Sequence, residues 1–127
     1  MQSASPKILL VIDDPTLGAI TAFRLELMGY RVECVASSEA ALEAVRNDPP
    51  GLIVIDLMLG GSDGFQIADR LSNDQGASGI PVMALSTSAD LEAVQRAFAA
   101  GVEDYLVVPF DPAVMEEKLE RWAPIVE

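Results

Sequence analysis

The sequence predicts an α/β fold, a doubly wound parallel sheet of five strands. Three observations predict it. Apolar runs of strand length recur at Lys7–Ile12, Arg31–Val35, Leu52–Ile55, Pro81–Leu85 and Tyr105–Val108. A stretch with helical patterning follows each of them. The junctions carry helix signals: Asp14-Pro15 and Asp111-Pro112 read as N-caps with proline at the first helical position, and Gly29 and Gly101 stand where the first and fourth helices stop. Each helix carries the chain back for the next strand, so the strands pair in parallel.

In chain order, "KILLVI" is apolar on both faces, as a central parallel strand must be. The first helix, residues 15–28, places Ile20, Phe23 and Leu27 on one side. "RVECV" alternates and reads as an edge strand, with Cys34 a small buried apolar group. The second helix, residues 38–47, is Ala-rich and carries Leu42 and Val45. "LIVI" is a central third strand, followed by a helix over 64–72 with Phe65, Ile67, Ala68 and Leu71, capped by Asp63. "VMAL" is the central fourth strand, and the helix over 89–100 sets Leu91, Val94 and Phe98 on one face. The fifth strand ends at Val108, and the last helix, 112–122, bears Met115, Leu119 and Trp122. Strands one, three and four in the centre with two at the edge fit the flavodoxin-like order 2-1-3-4-5, whose crevice lies beyond the carboxyl ends of the strands. The expected organisation is a disordered polar tail over 1–6, one domain over 7–122 and a short tail over 123–127.

Composition narrows the function. With 127 residues, 50% of them hydrophobic, the chain suits one core. A net charge of −12 and a pI near 4.1 repel nucleic acid and anionic membrane. A basic partner surface or metal cations are the natural counterparts. The single cysteine permits no internal disulfide and suits a reducing, cytoplasmic compartment, and "ILLVI" is too short for a signal peptide or a membrane span. The absence of histidine removes His-based acid–base catalysis and His metal ligands. Neither G-x-G-x-x-G nor G-x-x-x-x-G-K-[ST] occurs.

The strand ends deliver Asp13 and Asp14, then Asp56, then Ser86 and Thr87, then Val108 and Pro109. Carboxylates gathered in one crevice repel unless a cation intervenes, and hard oxygen ligands suit Mg²⁺. Singly, Asp14 reads as a helix cap, Asp56 as a solvated strand end and Ser86 as a turn hydroxyl. Together, at this edge, they point to a site.

"KILLVIDDPTL", "LIVIDLMLGGSDGFQI", "IPVMALSTSAD" and "AGVEDYLVVPF" resemble the successive signatures of receiver domains of two-component response regulators, over roughly residues 7–122. The resemblance implies a signalling domain rather than an enzyme, with Asp56 as phosphoacceptor. It implies Mg²⁺ held by Asp13, Asp14, Asp56 and the backbone carbonyl of Met58. Ser86 takes the place of the hydroxyl that senses the phosphoryl group, and Tyr105 that of the switch aromatic. The implied partners are a sensor histidine kinase or a His-containing phosphotransfer protein and a downstream effector. The face of the fourth helix, fifth strand and fifth helix is the implied interaction or homodimer surface. Adjacent Asp13 and Asp14 do not match the spaced aspartates of haloacid-dehalogenase-type phosphatases, and acidic "DDPTLG" does not match a flavodoxin phosphate loop.

Three positions depart from the family pattern. Val108 stands where receivers normally carry lysine before the proline, whose peptide bond is typically cis. Thr87 replaces a smaller residue and narrows access, and Gly60 replaces a proline. Lys7 lies about 20 Å from Asp13 along the strand, Lys118 lies well down the last helix, and Arg24, Arg46, Arg70, Arg96 and Arg121 lie in helices leading away from the edge. No basic side chain is expected in the pocket. Two readings follow: a phosphorylated receiver with altered coupling, or a pseudo-receiver that binds partners without phosphorylation.

Overall fold

The computed structural model describes residues 6–57 and 64–125. Among them the chain alternates β1 (Lys7–Val11), α1 (Pro15–Leu27), β2 (Arg31–Val35), α2 (Ser38–Asn47), β3 (Leu52–Asp56), α3 (Gly64–Asn73), β4 (Val82–Ser86), α4 (Leu91–Ala99), β5 (Asp104–Val107) and α5 (Pro112–Trp122). All pairings are parallel and the order is β2-β1-β3-β4-β5, as the strand patterns require. Every residue of β1, β3 and β4 is buried, whereas β2 is an exposed edge. β3 and β4 each run one residue past their apolar run, because Asp56 pairs with Leu85 and Ser86 with Val107. The ladder is a backbone property and is indifferent to the polarity of the side chains it carries.

Alternation along the strands divides the core. Leu9, Val11, Ile53, Ile55 and Ala84 meet α2, α3 and α4 on one face. Ile8, Leu10, Val54, Met83, Leu85 and Leu106 meet Leu25 of α1 and Met115 and Leu119 of α5 on the other. Ala123 and Ile125 join this second core beyond α5, and the buried Tyr30 hydroxyl donates to the Ala123 carbonyl at 2.8 Å. Asp14 and Asp111 cap α1 and α5 with proline behind them, and Gly29 and Gly101 have φ of 99° and 103° just past α1 and α4.

Three expectations are corrected. The buried side of α1 is Gly18, Thr21 and Leu25, while Ile20, Phe23 and Leu27 are 50%, 61% and 72% exposed. Gly18 explains the choice: a Cβ there would lie 3.0 Å from Cys34 Sγ, so the small residues face the sheet where the helix approaches most closely. In α4 the buried residue is Ala97, and Leu91 and Phe98 face solvent. Cys34 is exposed on the β2 edge, although its sulfur contacts the Ile12 carbonyl at 3.8 Å and desolvation raises the thiol pKa.

Two polar clusters pin the sheet. At its amino edge Lys7 is buried and engages Glu33 and Asp48. At the start of β5, Asp104 accepts from Lys118 Nζ at 2.7 Å and from Trp122 Nε1 at 2.8 Å, tying the strand to α5. Burial pushes the Asp104 carboxyl up, but hydrogen bonds from Lys118, Trp122 and the Tyr105 N–H outweigh it and hold the pKa below the ordinary value. A lowered carboxyl pKa stabilises the fold above the unfolded value, and that stabilisation is lost as pH falls through the folded value. Asp104→Asn should therefore cost about 1–2 kcal/mol near neutral pH. The gap from the parent protein should narrow at about pH 3. Urea unfolding at both pH values checks this, and an equal gap at each would contradict it.

The acidic crevice at the carboxyl edge

β1 and β3 are neighbours, with Val11 level with Ile55. Asp56 is thus level with Ile12, and Asp13 stands one step beyond, on a strand about 4.8 Å away. On the other side Asp56 pairs with Leu85, so Ser86 also lies one step beyond it. Asp56 is 6% exposed and Ser86 3% exposed, while Asp13 is half-buried and Asp14 exposed. The topology therefore gathers a buried carboxylate, a second carboxylate and a hydroxyl at one point.

Asp14 has a structural task. Its Oδ1 accepts from the N–H groups of Thr16 and Leu17 at 2.9 and 3.1 Å and caps α1. Among the described residues no three acidic or thiol side chains form a ready metal cage. Asp13 and Asp56 nonetheless present a hard oxygen donor set. That suits Mg²⁺, which commonly takes one or two carboxylates and completes its shell with water and phosphate oxygen. Met58, Gly60 and Asp63 lie outside the described residues.

Ser86 Oγ accepts from the Ser88 N–H at 3.1 Å, which orients the hydroxyl at the start of the β4–α4 loop. The Tyr105 hydroxyl donates to the Ser88 carbonyl at 2.8 Å, so β5 holds the same loop from the other side. Thr87, between them, is exposed. The Val108 N–H donates to the Ser86 carbonyl at 2.8 Å, and the Val108–Pro109 peptide is cis. The Val108 side chain packs against the α1–α5 core, so the position brings apolar surface to the rim instead of charge.

The other cations are placed much as the sequence suggests. Lys7 and Arg31 meet Asp48 at the amino edge, Arg46 meets Asp74, Arg70 meets Glu39, and Lys118 meets Asp104. Arg24 lines a cleft beside the crevice together with Thr87 and Val108. Because every helix follows a parallel strand, the helix N-termini gather at this edge and supply positive potential to it.

Sequence reasoning missed Gly64. A Cβ at this first residue of α3 would lie 2.7 Å from Leu57 Cα and 2.9 Å from the Asp56 carbonyl oxygen. α3 therefore starts directly against the strand end that carries Asp56. The available signal was a glycine at the opening of a helix, where most residues are tolerated.

The chain belongs to the response regulator receiver domain family, whose profile matches residues 8–120. It is 34% identical over 116 residues to the DNA-binding dual master transcriptional regulator RpaA of a Synechocystis strain, covering 91% of this chain and 47% of that protein. The chain thus spans about half the length of that relative. Chemotaxis protein CheY4 of Vibrio cholerae superposes with a TM-score of 0.86 at 26% identity, covering 94% of this chain and 99% of that one. The receiver domain of a sensor histidine kinase from Pseudomonas aeruginosa, solved with magnesium coordinated in its active-site cleft, superposes with a TM-score of 0.83 at 29% identity, covering 94% and 98%.

Gly64→Ala should cost about 1–3 kcal/mol, because backbone must shift to admit the methyl. Gly79, where an added Cβ would meet nothing within 4 Å, is the control, and Gly79→Ala should stay within about 0.5 kcal/mol. Denaturant unfolding of both variants checks the contrast, and equal stabilities would contradict it.

Proposed function

We propose that Asp56 accepts a phosphoryl group and that the β4–α4 loop and β5 read its presence. The carrying observation is Asp56 itself: a buried carboxylate closing a central strand, with Ser86 one step beyond on the next strand. The donor is a sensor histidine kinase, a His-containing phosphotransfer protein or a small phosphodonor. A carboxylate oxygen of Asp56 attacks phosphorus, the bond from phosphorus to the donor nitrogen or oxygen breaks, and the leaving group departs with that electron pair. Asp13 and Asp56, assisted by Asp14 and the Met58 carbonyl, would hold Mg²⁺, which screens the repulsion between carboxylate and phosphoryl oxygens. The magnesium in the cleft of the Pseudomonas relative supports this choice of ion.

The Ser86 hydroxyl would turn from the Ser88 N–H toward the phosphoryl oxygens, and Tyr105 follows through its bond to the Ser88 carbonyl. Exposed Leu91 and Phe98 of α4, Val107 of β5 and Val114 of α5 give an apolar face for an effector or a second copy. Val108 offers no donor to the phosphoryl group. Losing a charged hydrogen bond there forfeits about 1.5–3 kcal/mol of coupling between phosphorylation and the loop. A second reading, a partner-binding module independent of phosphorylation, rests on Val108, which brings apolar surface to the rim where a charged donor to a phosphoryl group would be expected.

Incubation with a small phosphodonor and Mg²⁺ should add one phosphoryl mass to the intact protein and none to Asp56→Asn. No adduct from a small donor or a kinase would sink the first reading and leave the second. Val108→Lys should enlarge the NMR shift changes at Ser86 and Tyr105 on adding a beryllofluoride mimic, and equal responses in both proteins would contradict the coupling role given to this position.

A further inference from the structure

A cleft of about 340 Å³ opens beside the crevice between α1 and the β5–α5 connection. Leu17, Ile20 and Arg24 form one wall, and Thr87, Val108 and Phe110 face them. We propose that this cleft binds a small organic monoanion, a carboxylate with an aromatic or branched aliphatic body. Its carboxylate would pair with Arg24 and its apolar part would lie on Val108 and Phe110.

The walls favour an apolar body. Val108 leaves apolar surface where a lysine would place an ammonium. Thr21, also in the wall, turns its hydroxyl to the Leu17 carbonyl of its own helix at 2.7 Å. The volume lies at the small end of the range for ligand sites, about 300–1,000 Å³. A second cleft of about 260 Å³ shares Arg24 and Phe110 with it and is otherwise lined by apolar residues, among them Leu27 and Met115.

Arg24 selects the charge. In a chain with 20 acidic and 8 basic residues, it forms no ion pair among the described residues. Its guanidinium instead lies 5.8 Å from the centroid of the Phe110 ring. Helical side chains lean toward the helix N-terminus, which directs Arg24 toward the carboxyl edge. A planar guanidinium pairs with a carboxylate through two parallel hydrogen bonds. Arg24 is the single charged side chain in the lining, so one negative charge on the ligand matches it.

This site does not depend on phosphoryl transfer. Its occupant would rest on Thr87 and Val108, which follow Ser86 and precede Pro109. Any phosphorylation of Asp56 and ligand binding would then be linked reciprocally.

The test is an NMR titration of the full chain with 3-phenylpropionate, using 3-phenylpropanamide as its uncharged counterpart. Saturable shifts should appear at Thr87, Val108 and Phe110 with a dissociation constant of about 1 mM or tighter. The amide should bind about tenfold more weakly, and Arg24→Gln should weaken the acid by a similar factor without changing amide binding. Absence of saturable shifts at about 10 mM, or shifts centred on another arginine such as Arg96, would overturn the site. Equal binding of acid and amide would overturn the assignment to an anion.

Discussion

Parallel pairing of β1, β3 and β4 is the constraint from which the rest follows. A strand hydrogen-bonded on both sides and covered by helices on both faces has no solvated surface for polar side chains. Polar chemistry can then enter the centre of the sheet only where strands end. Because all the strands point the same way, their carboxyl ends share one edge, and the helix N-termini converge there too. Asp13, Asp56 and Ser86 meet because the register of two ladders brings them level within one residue. Gly64 then lets α3 close on that point without displacing the strand end.

The edge is also where the chain's charge imbalance is most consequential. Lys7 and Lys118 are engaged by carboxylates away from the crevice. Val108 joins the hydrophobic core under α1 and α5. The helix N-termini that gather at this edge bring positive potential to the crevice carboxylates. The hydroxyl of Tyr105 and the Oγ of Ser86 both bond to Ser88, so one short loop is held by the residue beside Asp56 and by the neighbouring strand. That shared attachment ties the start of the β4–α4 loop to β5.

Much of this was legible in the sequence. Unbroken apolar runs identified the central strands, alternation identified β2 as an edge, and Asp-Pro pairs marked the starts of α1 and α5. The same signals failed on α1 and α4. α1 is apolar around most of its circumference, so periodicity cannot tell which side is buried. Close approach to Cys34 decides for Gly18, and Ile20, Phe23 and Leu27 are left in solvent. In α4 the small Ala97 takes the core, again over larger neighbours. At the site, the strand ends that carry Asp13, Asp56 and Ser86 could be read from the sequence, and the ladders bring these positions level within one residue. The cleft that Arg24 lines beside the crevice was not legible, because position along a helix does not tell the direction in which its side chains lean.

Asp13 and Asp56 are proposed to form a carboxylate pair that takes a divalent cation. An NMR titration with Mg²⁺ tests it most directly. Saturable shifts should centre on Asp13 and Asp56 and on the residues flanking them at the carboxyl edge, and should be lost in Asp13→Asn. Shifts that fail to saturate, or that spread over exposed acids such as Glu116 and Glu120 while Asp13 and Asp56 stay still, would contradict it.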